Sequence, residues 1–229
     1  MRLKVIPFFF IFFHSFTCDM IVFCHSRPMQ LHLFLTSVKK FVKGLSEVLV
    51  LHDHFFQDDY FKVKRDFFAD ATFVNVYQPA QLAIKSTIER CISDYESEYL
   101  IIVDCRVLIK DVIDINEYIK RLNASKFFSF TPFKDLNDFK FSMILLKKKD
   151  LIPYLESFSK MVFTASKFWP DLAFLNEKDS YFDNNKKVAF INYLGDISLW
   201  KSKFESGCRL NIAKYINSKS SIVIHIKDV

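Results

Sequence analysis

The stretch "EYLIIVDCRVLIKD", Glu98 to Asp111, decides the fold. Leu100, Ile101, Ile102 and Val103 run without a break into Asp104. Cys105 and Arg106 follow, and apolar character resumes at Val107. A short, continuous, β-branched apolar run reads as a strand covered on both faces, as in a parallel sheet. A carboxylate is tolerated there only where the strand leaves the core, because an isolated buried charge is costly. Asp104 therefore marks a strand's C-terminal end.

The same punctuation recurs upstream. "DMIVFCHSRP" predicts a buried strand ending near His25, with a turn at Pro28. "MQLHLFLTSVKKFVKG" repeats apolar residues at Leu31, Phe34/Leu35, Val38 and Phe41/Val42, a helical spacing that Gly44 is expected to cap. "SEVLVLHD" is a second strand, ending on His52-Asp53. Phe55 to Asp70 reads as a loop with a short helix, and "ATFVNV" as a third strand. "PAQLAIKSTIERCIS" predicts a helix with Pro79 in its first turn and Ile84, Ile88, Cys91 and Ile92 on one face. "EYLIIVD" is then the fourth strand.

Strand and helix in alternation imply an α/β fold, a mostly parallel central sheet flanked by helices. Right-handed crossovers bring every strand's C-terminal end to one edge, where open α/β sheets bind their ligands. His25, Ser26, Arg27, Asp53, Gln78 and Asp104 are expected there. The second half changes character. Asp114-Ile-Asn-Glu117 predicts a capping box opening a helix to Leu122. "KFFSFTPF" and "FKFSMILLKK" read as paired strands, "DLIPYLESFSKMVF" as a helix with Pro153 in its first turn, and "KKVAFINYLG" and "SSIVIHIKDV" as further strands. A mixed half of this kind is typical of α/β folds that add antiparallel strands, and without a linker or repeat the expectation is one domain over 19–229.

Composition narrows the chemistry. The chain has 229 residues, 51% hydrophobic and 25% charged, which implies a folded core. Only three residues are Gly, so a Gly-rich phosphate loop is excluded. A diphosphate would have to be held by side chains, a metal or isolated backbone N–H groups. The net charge of +6 is scattered, with one tight run at Lys147-Lys148-Lys149. That suits anionic ligands rather than nucleic acid, which calls for a basic stripe with interleaved aromatics. Five cysteines, Cys18, Cys24, Cys91, Cys105 and Cys208, form neither a C-x-x-C pair nor a zinc spacing and read as buried thiols.

The segment 1–18, "MRLKVIPFFFIFFHSFTC", starts with Arg2 and Lys4, continues with apolar Val5 to Phe13 and ends with small residues. It reads as a signal peptide or signal anchor, giving export or membrane attachment. The alternative is a true start at Met20 and a cytoplasmic protein.

Two stretches carry a resemblance. "IVFCHSRPMQLHLFLTSVKKF" resembles the opening strand-turn-helix of GT-A-type nucleotide-diphospho-sugar transferases. "EYLIIVDCRVLIKDVIDINEYIKRL" resembles their segment with the Asp-x-Asp motif. "KKVAFINYLGDI" is similar to one of their late strands. The likeness is strongest from Met20 to about Leu122. It implies a GT-A-like fold and transfer of a sugar from a nucleotide-sugar donor to a glycan or other hydroxyl acceptor. Mn²⁺ or Mg²⁺ usually bridges the diphosphate and offsets the charge of the departing nucleotide.

The chain departs from the pattern at its centre. Asp104 matches the first Asp, but Arg106 stands in place of the second. Three accounts follow. Arg106 faces the diphosphate and replaces the metal's charge; or Asp104 and Arg106 pair with each other in a silent protein that binds a glycan, nucleotide or protein partner; or Asp104 holds a metal together with Asp111 or Asp171. The resemblance further implies donor contacts at His25, Ser26, Arg27, Asp53, Gln78 and Lys85. It places the chemistry at Asp104, Arg106 and Asp171, with Asp171 (or Glu177) as general base beside Trp169. His52 and His54 lie on the opposite strand face from Asp53 and lack a further ligand for a metal.

Overall fold

The computed structural model describes residues 17–53, 56–76, 86, 89–90, 93, 96–122, 126–130, 142–154, 161–164, 167–170, 180–182, 187–193, 203–204, 206–208, 210–212 and 223–226. In chain order the strands are β1 (Cys18–Cys24), β2 (Val42–Lys43), β3 (Leu45–His52), β4 (Thr72–Asn75), β5 (Tyr99–Asp104), β6 (Val107–Ile109) and β7 (Ile113–Asp114). They continue as β8 (Phe127–Ser129), β9 (Met143–Lys147), β10 (Met161–Thr164), β11 (Lys167–Pro170), β12 (Ser180–Phe182), β13 (Val188–Tyr193) and β14 (Val223–Ile226). The helices are α1 (Pro28–Phe41), α2 (Gln57–Asp66), α3 (Ile115–Leu122) and the single turn α4 (Lys148–Leu151).

Seven strands form the main sheet in the order β12-β8-β9-β5-β1-β3-β4. β5, β1, β3 and β4 are mutually parallel, while β9 runs antiparallel to β5 and β8. The predicted fold class, a mostly parallel sheet with added antiparallel strands, is what forms. Every residue of β1 and of β5 is buried, as the unbroken apolar runs required. Register aligns the C-terminal ends: Phe23 pairs with Asp104, Cys24 with His52, and His52 with Asn75. The strands that end on a polar residue thus do so along one edge.

α1 starts on Pro28, whose missing N–H and fixed φ suit the first turn. It packs against β6 and α2, and Ser37 Oγ accepts the Ile109 N–H at 3.3 Å. Gly44 does not cap this helix. The chain turns extended at Val42, pairs briefly with β7, and Gly44 then makes the turn into β3 at φ +86. The Asp114 carboxylate accepts the Asn116 N–H at 3.0 Å, so Asp114 caps α3 as the first half of the predicted capping box. Tyr118 of α3 then packs edge-on to Phe128 with ring centroids 4.9 Å apart. Phe128 is fully buried, and trimming it to Ala would cost about 3–5 kcal/mol.

Of the helix predicted over "DLIPYLESFSKMVF", residues 155–160 lie outside the described residues, and the described C-terminal end is strand rather than helix. Lys148–Leu151 makes one turn and Ile152–Tyr154 a short 3-10 segment, and Met161–Thr164 is a strand paired antiparallel with β11. Val162, Phe163 and Thr164 are β-branched or aromatic, and the hairpin uses that preference over the helical spacing. The same hairpin places Trp169 in a strand. Of the helix predicted from Pro79, only Ser86, Glu89, Arg90 and Ser93 are described, and they are helical.

At the opposite, N-terminal edge a buried ion pair closes the sheet. Lys148 Nζ meets Asp19 Oδ2 at 2.6 Å, and Ser97 Oγ donates to the same oxygen. Lys148 and its neighbours Lys147 and Lys149 line a pocket of about 370 Å³ there, remote from the edge that carries Asp104. Among the described residues, no helix is long and apolar enough to cross a membrane.

Candidate functional site at the strand edge

Three features meet where β5, β1 and β3 end. The first is the turn His25-Ser26-Arg27 between β1 and α1. Ser26 has φ +51, a left-handed conformation that a residue with a Cβ seldom adopts. Asp53, just past β3, holds it: Oδ2 accepts the Ser26 N–H at 2.6 Å and the Ser26 hydroxyl at 3.2 Å. His25 Nδ1 also lies 2.6 Å from Oδ2, although not in hydrogen-bond geometry. Asp53 is thus a clamp on the turn. Tyr60 of α2 supports the turn from below, its hydroxyl accepting the Arg27 N–H at 3.1 Å.

The second feature is Asp104 with Arg106. Arg106 Nε donates to both carboxylate oxygens at 3.0 Å, and Nη2 donates to Oδ2 at 2.5 Å. The Arg106 backbone N–H adds a bond to Oδ1 at 2.8 Å. The guanidinium lies over the Phe190 ring of β13, 4.8 Å from its centroid. Burial pushes the Arg106 pKa down, but the Asp104 charge and hydrogen bonds outweigh it, and the net shift is upward. Side-chain exposure is 19% for Arg106 and 9% for Asp104, so the guanidinium is the more accessible partner.

The third feature is the frame around this pair. Ile191 of β13 donates its N–H to the Arg106 carbonyl at 2.7 Å and accepts Gln30 Nε2 from α1 at 3.0 Å. β13 is therefore stitched between the Asp104 turn and the helix that starts at the His25 turn. Arg27 provides no side-chain cap for α1, and the positive end of the helix dipole lies beside the His25 turn. Asp104 and Asp53 are separated by roughly two strand spacings, about 10 Å.

Beneath the edge the groups are neutral. Burial lowers the pKa of His52, which shares a 2.8 Å hydrogen bond between Nδ1 and the Asp53 carbonyl. A carbonyl can only accept, so the neutral ring carries its proton on Nδ1. Burial pushes up the Tyr60 hydroxyl and the Cys105 thiol, with Cys24 adding to both shifts.

The structure thus brings His25, Ser26, Arg27, Asp53, Asp104 and Arg106 to one edge. Gln78, Lys85, Asp171, Glu177 and His54 lie outside the described residues. Sequence reading did not single out Tyr60, Gln30 or Phe190. Phe190 sat in a recognised strand and was readable as core, while nothing local distinguishes Tyr60 in its polar segment.

A divalent ion bridging a diphosphate here would have to sit on Asp104. Such an ion wants several oxygen ligands, yet both Asp104 oxygens accept from a guanidinium that would repel a cation. Asp111 is exposed, and its Oδ1 accepts the Val112 N–H at 2.7 Å. Among the described residues, no group of three or more His, Cys, Asp or Glu could hold a metal. These residues do not fit a divalent ion.

A mostly parallel sheet whose central strands end on Asp104 and on the His25 turn, extended by antiparallel strands, is the fold of GT-A-type glycosyltransferases. The structure matches that of the galactosyltransferase LgtC, solved with donor and acceptor sugar analogues, with a TM-score of 0.51 at 11% identity over 90% of this chain and 84% of that one. The apo bifunctional glycosyltransferase WbbM gives a TM-score of 0.48 at 10% identity, covering 82% of this chain and 41% of its own. GlyE of Streptococcus pneumoniae TIGR4 gives 0.46 at 10% identity, covering 75% and 46%. The match to LgtC carries the fold; the other two are too distant to add to it. No protein-family model matches the chain, and no curated protein matches it in sequence.

Proposed function

We propose that the chain transfers a sugar from a nucleotide-sugar donor to an acceptor hydroxyl, with arginine rather than a divalent ion meeting the charge of the diphosphate. The observation that carries this is the Arg106 guanidinium, fixed by Asp104 at the end of β5. In the transfer the acceptor oxygen bonds to the anomeric carbon and its proton goes to a base. The bond from that carbon to the diphosphate oxygen breaks, and a nucleoside diphosphate departs with its negative charge. A guanidinium stays charged and matches phosphate oxygens in a two-pronged contact, stabilising that charge as it forms. Arg27 and the uncapped N-terminus of α1 add to this field. His25, Ser26 and Asp53 are the proposed donor contacts on the nucleoside side. Gln78, Lys85 and the base Asp171 enter the proposal from sequence alone. So do the single domain over 19–229 and export or attachment through residues 1–18.

A second reading rests on the same pair. Asp104 and Arg106 neutralise each other, which suits a silent member that binds a glycan, nucleotide or protein partner. Thermal unfolding with UDP-, GDP- and CMP-sugars, with and without Mn²⁺, separates transfer from a silent binder of a glycan or protein partner, and release of nucleoside diphosphate separates it from a silent nucleotide binder. Transfer predicts a donor-induced rise of roughly 5–10 °C at saturating ligand, equal with and without Mn²⁺ and lost in Arg106→Ala. No response to any nucleotide sugar overturns it in favour of the silent binder. A rise that requires Mn²⁺ refutes the arginine account.

A further inference from the structure

Two cysteines sit under the two turns of the site. β1 and β5 are neighbouring parallel strands whose register runs from Cys18↔Tyr99 to Phe23↔Asp104. The next position places Cys24 against Cys105, and the Cys105 N–H still donates to the Phe23 carbonyl at 3.0 Å. Neighbouring strands are about 4.8 Å apart, within the roughly 4.4–6.8 Å between Cα atoms that a disulfide spans. The side chains also share a face. Cys18, Met20, Val22 and Cys24 of β1 lie in one core with Tyr99, Ile101, Val103 and Cys105, while Phe23 and Asp104 between them point the other way.

Both thiols are buried, and Cys24 Sγ is 3.3 Å from the Tyr60 hydroxyl. Both are free thiols in this structure. Cys18 is no competitor, because it lies at the far end of β1, roughly 20 Å away.

We propose that Cys24 and Cys105 are a disulfide-forming pair that ties the His25 turn to the Asp104 turn. The oxidant is a small disulfide such as glutathione disulfide. One cysteine thiolate attacks it, breaking its S–S bond and releasing a glutathione thiolate, which takes up a proton. The second cysteine thiolate then displaces the second glutathione from the mixed disulfide. The cysteine pair loses two electrons, one disulfide is reduced to two thiols, and both cysteine protons end on glutathione. Burial shields the pair once the sheet has closed, so the bond forms during folding and its presence reports the redox conditions under which the chain folded. The link closes a loop of about 80 residues and fixes Ser26 and Arg27 relative to Arg106.

The test is to unfold the full chain, reduce it, and refold it in reduced glutathione alone or in a mixture with glutathione disulfide. Peptide mass spectrometry without reductant then locates the bond. The expected product has a Cys24–Cys105 cross-link and a melting temperature raised by up to roughly 10 °C over the reduced form. Dithiothreitol should reverse the gain, and Cys24→Ala should lack it. Oxidised and reduced parent protein are compared directly, so the result stands even where the variant folds poorly. A cross-link joining Cys18, Cys91 or Cys208, or two thiols still open to alkylation after oxidative folding, overturns the proposal.

Discussion

Breaking the Asp104–Arg106 pair measures how firmly the guanidinium is held, and the structure sets the size of the effect. At about 3 Å and an effective dielectric near 20, two unit charges attract by roughly 5 kcal/mol. Desolvation offsets several kcal/mol of this. The backbone bond from Arg106 N–H to Oδ1 survives in Arg106→Ala, so the carboxylate left behind keeps a donor. In Asp104→Ala the guanidinium keeps the Phe190 ring but loses three bonds to the carboxylate. We expect losses of about 3 kcal/mol for Asp104→Ala and about 2 kcal/mol for Arg106→Ala, scaled below the fully buried range because a fifth of Arg106 is exposed. The double variant should lose about 3 kcal/mol rather than 5, a coupling of roughly 2 kcal/mol. Urea unfolding of the four proteins reads these values directly. The net shift of Arg106 is upward, so its contribution is complete below its ordinary value and is lost only as pH rises beyond it. The coupling should therefore not fall between about pH 7 and 9. Additive losses, or a coupling under about 0.5 kcal/mol as for surface pairs, would refute a fixed guanidinium.

Two further predictions concern the sheet that carries the site. Asp19→Ala should destabilise by about 3–5 kcal/mol because it strands Lys148 in the core, and Asp19→Leu with Lys148→Met should recover most of that loss in thermal melts; equal stability of Asp19→Ala and parent would contradict it. His52 has its pKa lowered by burial, so the unfolded chain binds the extra proton first. Its contribution is complete above the ordinary value of 6.5 and is lost as pH falls through the folded value. Melting temperature should drop between pH 7 and 5, and less so in His52→Gln; identical pH profiles would remove His52 as the cause.

The central strands were legible because a parallel sheet leaves a plain trace. β1, β5 and Val48–His52 of β3 are buried, largely apolar runs that end at a charge or turn residue, and those ends lie together by topology. The pairing of Asp104 with Arg106 was readable as one of three alternatives, since spacing alone does not say whether a guanidinium folds back or reaches outward. Other features depend on partners distant in sequence. Asp53 is held by a turn 27 residues upstream, so its role as a clamp is invisible in "SEVLVLHD". Ser26 adopts a left-handed conformation without a glycine to announce it. Gly44 looked like a helix cap because the two-residue strand before it exists only through its pairing with β7. Met161 to Phe163 closed a segment read as a helix with Pro153 in its first turn, but a hairpin partner makes them a strand. The link from β13 to Arg106 and Gln30 comes from packing that no local pattern encodes.

The most direct test measures nucleoside diphosphate release from a panel of nucleotide sugars by the full chain and by Arg106→Ala, in chelator and in Mn²⁺. The account predicts equal release by the parent in both conditions, and a loss of at least about a hundredfold in the variant, the scale of removing one preorganised charge from a transition state. Release that appears only with Mn²⁺, or that Arg106→Ala leaves intact, would contradict it.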